Sequence, residues 1–83
     1  MRAEDVLPDH INQTQLHGVT LRKGTVAAFL ANARLWCDPQ TATADRAAVE
    51  RDMSDALPAL RALGLFELLE VRDAGLRDWL ASR

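Results

Sequence analysis

Residues 25–37, TVAAFLANARLWC, carry the strongest structural signal in the chain, because ten of these thirteen residues are apolar. The apolar residues recur at spacings of three and four, which is typical of a helix. A helix with so few polar positions must be covered on most of its sides. We therefore predict a helix over residues 25–37, with Thr25 as N-cap and Asp38-Pro39 as its end, packed within the chain or against a second subunit.

The segment before this helix has the alternation of a β-hairpin. Apolar and polar residues alternate over 13–23 on either side of His17-Gly18, whose glycine suits the positive φ of a two-residue turn. The pairs expected on the apolar face are Leu16 with Val19 and Thr14 with Leu21. The sequence thus predicts a hairpin at 13–23.

A second helix is predicted at 43–63. Apolar residues recur at threes and fours along this stretch, Thr43 stands as N-cap, and Gly64 suits the left-handed residue that follows a helix. Pro58 lies inside the pattern, and an interior proline costs on the order of 3 kcal/mol. Because the apolar phase continues through Pro58, we expect one bent helix, with a break before residue 58 as the alternative.

Residues 65–71, LFELLEV, fit either a strand or a helix by periodicity alone. A glycine before this run and Arg72-Asp73 after it leave a typical strand length, so we predict a strand at 66–71 paired with the hairpin. A short C-terminal helix then begins with Asp73 as N-cap. Residues 1–83 are thus predicted to form one small, helix-rich α+β domain with two main helices, a short C-terminal helix and a small antiparallel sheet.

Composition narrows the classes of function. The 83 residues are 48% hydrophobic and 27% charged, as in soluble globular proteins, and a net charge of -2 gives no long-range attraction to nucleic acid or an anionic membrane. The longest apolar run is too short to span a bilayer, and the N-terminus lacks a run of signal-peptide length. One cysteine, Cys37, forms no internal disulfide and favours the cytoplasm. Nine arginines to one lysine indicate a bacterial, GC-rich genome.

The sharpest candidate for a binding site is an anion site at Arg22, Lys23, Gly24 and Thr25. Two cations and a glycine precede the predicted helix, whose first N–H groups are free to bind an anion such as phosphate. The order Lys-Gly-Thr without a second glycine differs from a phosphate-binding P-loop. A strand end, a helix cap and solvated cations are the simpler interpretation of the same residues.

No motif for catalytic, metal or cofactor chemistry is found in the sequence. His10, His17 and Cys37 are seven and twenty residues apart, which matches no zinc spacing, and Cys37 closes an apolar helix where cysteines usually pack and stay inert. No dense cluster of ionisable residues supplies an acid, a base or a nucleophile. The sequence predicts no catalytic residue, no metal and no cofactor, and favours a protein that is not an enzyme.

Four residues are the candidate interface: Phe29, Leu30, Trp36 and Trp79. Tryptophan is enriched among interface anchors, although two tryptophans among four aromatic residues also fit a core. A chain of this length buries only about 60 to 65% of the surface that its unfolded form exposes, so association would add stability. We expect a homodimer, or another protein partner, on the apolar faces of the first helix and the C-terminal helix.

Two stretches resemble known proteins. Ala59 to Val71, ALRALGLFELLEV, resembles the end of a recognition helix that runs into the wing of winged-helix DNA-binding proteins. The phosphate contacts implied by this resemblance are Arg72, Arg77 and the Arg22-Lys23 pair. Residues 22–33, RKGTVAAFLANA, together with 63–66, are similar to short bacterial proteins of no assigned function, which implies no activity.

The function predicted from the sequence is a non-catalytic protein-interaction or regulatory role in the cytoplasm, carried out by a homo-oligomer. Two alternatives remain open: a winged-helix-like DNA-binding protein and a small anion-binding protein.

Overall fold

The computed structural model describes the backbone of residues 1–83 and all side chains other than that of Val6. In chain order the elements are α1 (Ala3–Val6), β1 (Gln13–Leu16), β2 (Val19–Arg22), α2 (Thr25–Cys37), α3 (Thr43–Leu63), α4 (Leu65–Leu68) and α5 (Ala74–Ala81). The predicted α+β class is confirmed. The two long helices, α2 and α3, pack on each other, α5 packs on α2, and the hairpin lies against α3.

The hairpin forms in the predicted register. Its strands pair antiparallel, with Leu16 opposite Val19 and Thr14 opposite Leu21. His17 and Gly18 both have positive φ, 51° and 77°, which is the turn that matches the twist of two short strands. Leu21 is buried, so the apolar face of the hairpin is the one that faces the body of the protein.

In both long helices the N-cap lies one residue before the predicted N-cap. Gly24, with φ 87°, is the N-cap of α2, and Thr25 is the first helical residue, its hydroxyl donating to the Arg22 carbonyl at 2.7 Å. Glycine takes this left-handed conformation without a Cβ penalty, which is why the cap falls on Gly24. Ala42 precedes α3, so Thr43 is likewise inside the helix and not its cap.

Helix α3 runs unbroken through Pro58, which confirms one helix and excludes the break before residue 58. Its end is also as predicted. Gly64 has φ 79° and its N–H donates to the carbonyl of Arg61, a glycine-terminated helix end. In α5 the predicted cap is confirmed, because the Asp73 carboxylate accepts from the N–H of Leu76 at 2.9 Å.

The predicted strand at 66–71 is wrong. Residues Leu65–Leu68 form the short helix α4, residues 69–71 belong to no regular element, and the described backbone contains a sheet of two strands. Phe66 makes an edge-to-face contact with Phe29, with ring centroids 6.1 Å apart. A helical turn brings Leu65 and Phe66 together onto the core, and this packing overrides the local strand preference. The strand that a winged-helix protein has after this helix is therefore missing from residues 65–71.

The core lies between α2, α3 and α5. Its buried residues are Phe29, Met53, Leu57, Leu60 and Leu76. Met53 and Leu60 are completely inaccessible, which places the centre of the core on α3. Trp36, Phe66 and Trp79 are partly buried and pack against this core. An open groove with an apolar lining remains between α2 and residues 65–72.

Candidate functional site: an apolar groove beside the first long helix

An open groove of about 320 Å³ lies between α2 and the segment that joins α4 to α5. Val26, Leu30 and Ala33 line it from α2, and Leu69 and Val71 line it from the other side. The buried side chains of Phe29 and Leu76 and the partly buried ring of Phe66 border it from the core. We refer to this feature as the apolar groove.

Several side chains of the apolar groove are exposed despite being large and hydrophobic. Leu30 is 56% exposed, Leu69 is 62% exposed and Val26 is 37% exposed. Glu70 and Arg72 also line the groove and are its charged residues. A contiguous apolar surface with charged residues at its edge is typical of a binding surface on a small soluble protein. Single exposed leucines are common on any protein surface and indicate no binding.

The predicted interface residues do not form one surface. Phe29 is 4% exposed and belongs to the core, whereas Leu30 lies at the groove. Trp36 and Trp79 are partly buried and contact each other, with ring centroids 6.3 Å apart. The helical period of residues 25–37 indicated an apolar face, but it did not separate the part covered by α3 and α5 from the part left open.

The tryptophan pair is held by polar and cationic neighbours. The Trp36 Nε1–H donates to Glu50 Oε1 at 2.9 Å, which ties α2 to α3. The guanidinium groups of Arg46 and Arg83 lie over the rings of Trp36 and Trp79 at 5.4 and 4.4 Å. Cation–aromatic contacts of this kind add about 0.5 kcal/mol or more each at exposed sites. These contacts show that the tryptophan pair has a structural role, because it connects α2, α3 and α5.

At the predicted anion site, the side chains of Lys23 and Thr25 are already hydrogen-bonded to carbonyl groups of the chain. Lys23 Nζ donates to the carbonyl oxygens of Asp9 at 2.8 Å and Pro8 at 3.3 Å, which fastens the N-terminal segment to the hairpin. The Thr25 hydroxyl donates to the Arg22 carbonyl. Gly24 supplies the left-handed cap, and Arg22 is exposed. A strand end followed by a helix cap accounts for the contacts of Gly24 and Thr25, whereas Lys23, which the simpler interpretation took as a solvated cation, is bonded to the N-terminal segment.

Cys37 lies at the end of α2 beside Asp73, the residue that caps α5. Partial desolvation raises the pKa of the Cys37 thiol, and the nearby Asp73 carboxylate raises it further against the opposing charge of Arg46. A thiol with a raised pKa is less often the reactive thiolate at neutral pH. Within the described side chains, no group of three or more His, Cys, Asp and Glu residues is arranged to hold a metal ion.

The described helices include none that combines the length and the apolar character needed to cross a bilayer. Comparisons of the chain with known protein families, with curated proteins and with solved structures give no match. The apolar groove is lined almost entirely by apolar atoms, whereas the larger depressions elsewhere on the surface have linings of mixed polarity.

Proposed function

We propose that this chain is a non-catalytic protein-interaction protein that acts as a homodimer, and that the apolar groove is its contact surface. The observation that carries the proposal is the exposure of Leu30 and Leu69 on the two sides of a groove that reaches the core residues Phe29 and Leu76. Burying such side chains gives about 25 cal/mol for each Å² of apolar area removed from water. A second copy that covers the groove gains this energy.

The size of the exposed surface supports association. The chain exposes 6062 Å², whereas a compact monomer of 9.2 kDa exposes about 4,900 Å². Its radius of gyration is 13.7 Å, against about 12 Å for a compact chain of this length. The excess surface is about 1,100 Å², and each partner in a standard interface contributes about 800 Å². An excess of this size is enough for one subunit's side of a standard interface, and this supports the proposal.

A second copy is the partner we propose because the residues around the groove include both apolar groups and opposite charges. A two-fold interface uses the same patch on both subunits, so that patch must offer both projecting groups and a depression. Here Leu30 and Leu69 project beside the groove, and Glu70 and Arg72 supply opposite charges at its edge. The single cysteine fits a protein that works in a reducing cytoplasm.

Sedimentation equilibrium of the full chain over a wide concentration range tests the proposal. The wild type and Leu35→Gln are expected to show the mass of a dimer at high concentration, whereas Leu30→Gln remains a monomer. Leu35 is the matched control because it lies on the same helix, is 47% exposed and does not line the groove. A wild type that is monomeric at all concentrations contradicts the proposal, as does equal weakening by both substitutions.

A further inference from the structure

We propose that α2 of one copy packs antiparallel against α2 of the second copy, with the Leu30 side chains of both copies at the two-fold axis. This inference rests on the homodimer proposed above and names the element that joins its subunits. The apolar groove lies along one side of α2, so the second helix covers Leu30 and borders the groove at Val26 and Ala33.

The outer side of α2 lacks the charged residues that a solvent-exposed helix surface normally carries. Among its 13 residues α2 has one charged side chain, that of Arg34. The exposed positions of the helix are Val26, Ala27, Ala28, Leu30, Ala31, Arg34, Leu35 and Cys37. A helix with one side in water usually places polar and charged residues on that side. The outer side of α2 therefore has the composition of a helix surface that another protein element covers.

Leu30 projects from this outer side and has small residues on both flanks. Successive residues of a helix are rotated by about 100°, so the buried Phe29 points toward the core while Leu30, which is 56% exposed, points away from it. By the same rotation, Ala27 and Ala33 lie about 60° to either side of Leu30. Their methyl side chains allow a second helix to approach to about 8 Å, the short end of the usual range of helix packing distances. At this distance Leu30 of each copy packs beside Ala27 and Ala33 of the other.

Charge selects the antiparallel orientation. Parallel helices related by a two-fold axis place each residue opposite itself, so the Arg34 side chains of the two copies would meet and repel. In the antiparallel pair Arg34 of each copy lies opposite Val26 of the other. The two Arg34 residues are then four residues beyond the axis in opposite directions, about 12 Å apart along the helices, which exceeds the screening length of about 8 Å at physiological ionic strength. The antiparallel arrangement also places opposite ends of the two helix dipoles side by side.

Disulfide trapping tests the helix pair in full-length chains that also carry Cys37→Ser, which removes the native thiol. At a helix spacing of about 8 to 10 Å, the Cα atoms of two residues that face each other at the axis lie about 4 to 5 Å apart, which suits a disulfide. Leu30→Cys is therefore expected to form a disulfide-linked dimer at least about tenfold faster than Leu35→Cys. Leu35 is the matched control because it is 47% exposed on the same helix and points about 140° away from Leu30. Equal rates for the two variants overturn the helix pair.

A mixture of Val26→Cys chains and Arg34→Cys chains keeps Leu30 and tests the orientation. Antiparallel packing brings residue 26 of one copy opposite residue 34 of the other, so the mixture is expected to form the mixed disulfide, whereas each variant alone is expected to crosslink as slowly as Leu35→Cys. Rapid crosslinking of Val26→Cys alone and of Arg34→Cys alone indicates parallel helices and overturns the proposal.

Sedimentation equilibrium of the same variants in the reduced state separates this proposal from the homodimer on which it rests. A chain that sediments as a dimer but forms no crosslink at residues 26, 30 and 34 overturns the helix pair and leaves the homodimer standing. A chain that is monomeric at every concentration overturns both.

Discussion

The indole rings of Trp36 and Trp79 pack with their planes tilted by 43°, and this contact joins the end of α2 to α5. The N–H of Trp36 also bonds to Glu50 of α3, so three helices meet at one aromatic pair. The chain has four aromatic residues, and two of them are therefore used in packing between its own helices. We expect association at the apolar groove, beside Leu30, and not at this pair.

Glu50→Ala is expected to lower the free energy of unfolding by about 1 to 2 kcal/mol, because it leaves the partly buried Trp36 N–H without its charged acceptor. Glu50→Gln keeps an acceptor oxygen at the same position and should lose less. Urea unfolding followed by tryptophan fluorescence measures both changes. Equal stability of Glu50→Ala and the wild type would show that the bond contributes nothing.

Leu60→Ala is expected to destabilise the fold by about 2 to 5 kcal/mol, since Leu60 is completely buried and its truncation opens a cavity. Leu68→Ala makes the same chemical change at a side chain that is 85% exposed, and it should alter the midpoint of chemical unfolding very little. Equal shifts of the urea midpoint in the two variants would contradict the position of the core.

Gly64→Ala should destabilise the junction of α3 and α4 by about 1 to 2 kcal/mol, because Gly64 has φ 79° and a new Cβ would lie 3.2 Å from a carboxylate oxygen of Glu67. Gly64→Asn is the comparison, since asparagine enters the left-handed region more easily. Thermal unfolding by circular dichroism should rank the wild type first, Asn second and Ala last. An alanine variant as stable as the wild type would contradict the left-handed conformation of Gly64.

The Cys37 thiol should react slowly with iodoacetamide near pH 8. Partial desolvation and the Asp73 carboxylate raise its pKa, so the thiolate fraction at a given pH is smaller than that of an ordinary cysteine. Asp73→Asn removes the negative charge and keeps an oxygen to cap α5, so the rate at that pH should increase and its pH profile should move to lower pH. A profile unchanged by Asp73→Asn would exclude the carboxylate as a cause.

Much of the fold was predictable because short-range chemistry specifies it. The turn at His17-Gly18 requires two residues with positive φ, and this requirement fixes the pairing of the strands around it. Gly64 similarly marks the end of α3. The cap of α2 was misplaced by one residue because Thr25 and Gly24 are both acceptable at that position, and the backbone conformation of the glycine decides between them.

The prediction of a strand at 66–71 was wrong because a contact with a residue distant in the sequence decides the structure of this segment. The sequence LFELLEV fits the period of a strand and the period of a helix equally well. The contact of Phe66 with Phe29, which is distant in the sequence, favours the helical turn. The apolar groove is invisible in the sequence for the same reason. A hydrophobic pattern shows that α2 must be covered, but only the positions of α3, α4 and α5 show that Leu30 is left uncovered.

The most direct test of the proposed dimer is an isotope-filtered NOE measurement on an equimolar mixture of labelled and unlabelled full chain. Contacts between subunits should be seen from the methyl groups of Val26, Leu30 and Leu69, which line the apolar groove, and not from those of Leu35, which lies outside it. A dimer whose contacts between subunits arise from Leu35 or from the hairpin, with none from Leu30 and Leu69, would contradict the assignment of the groove as the contact surface.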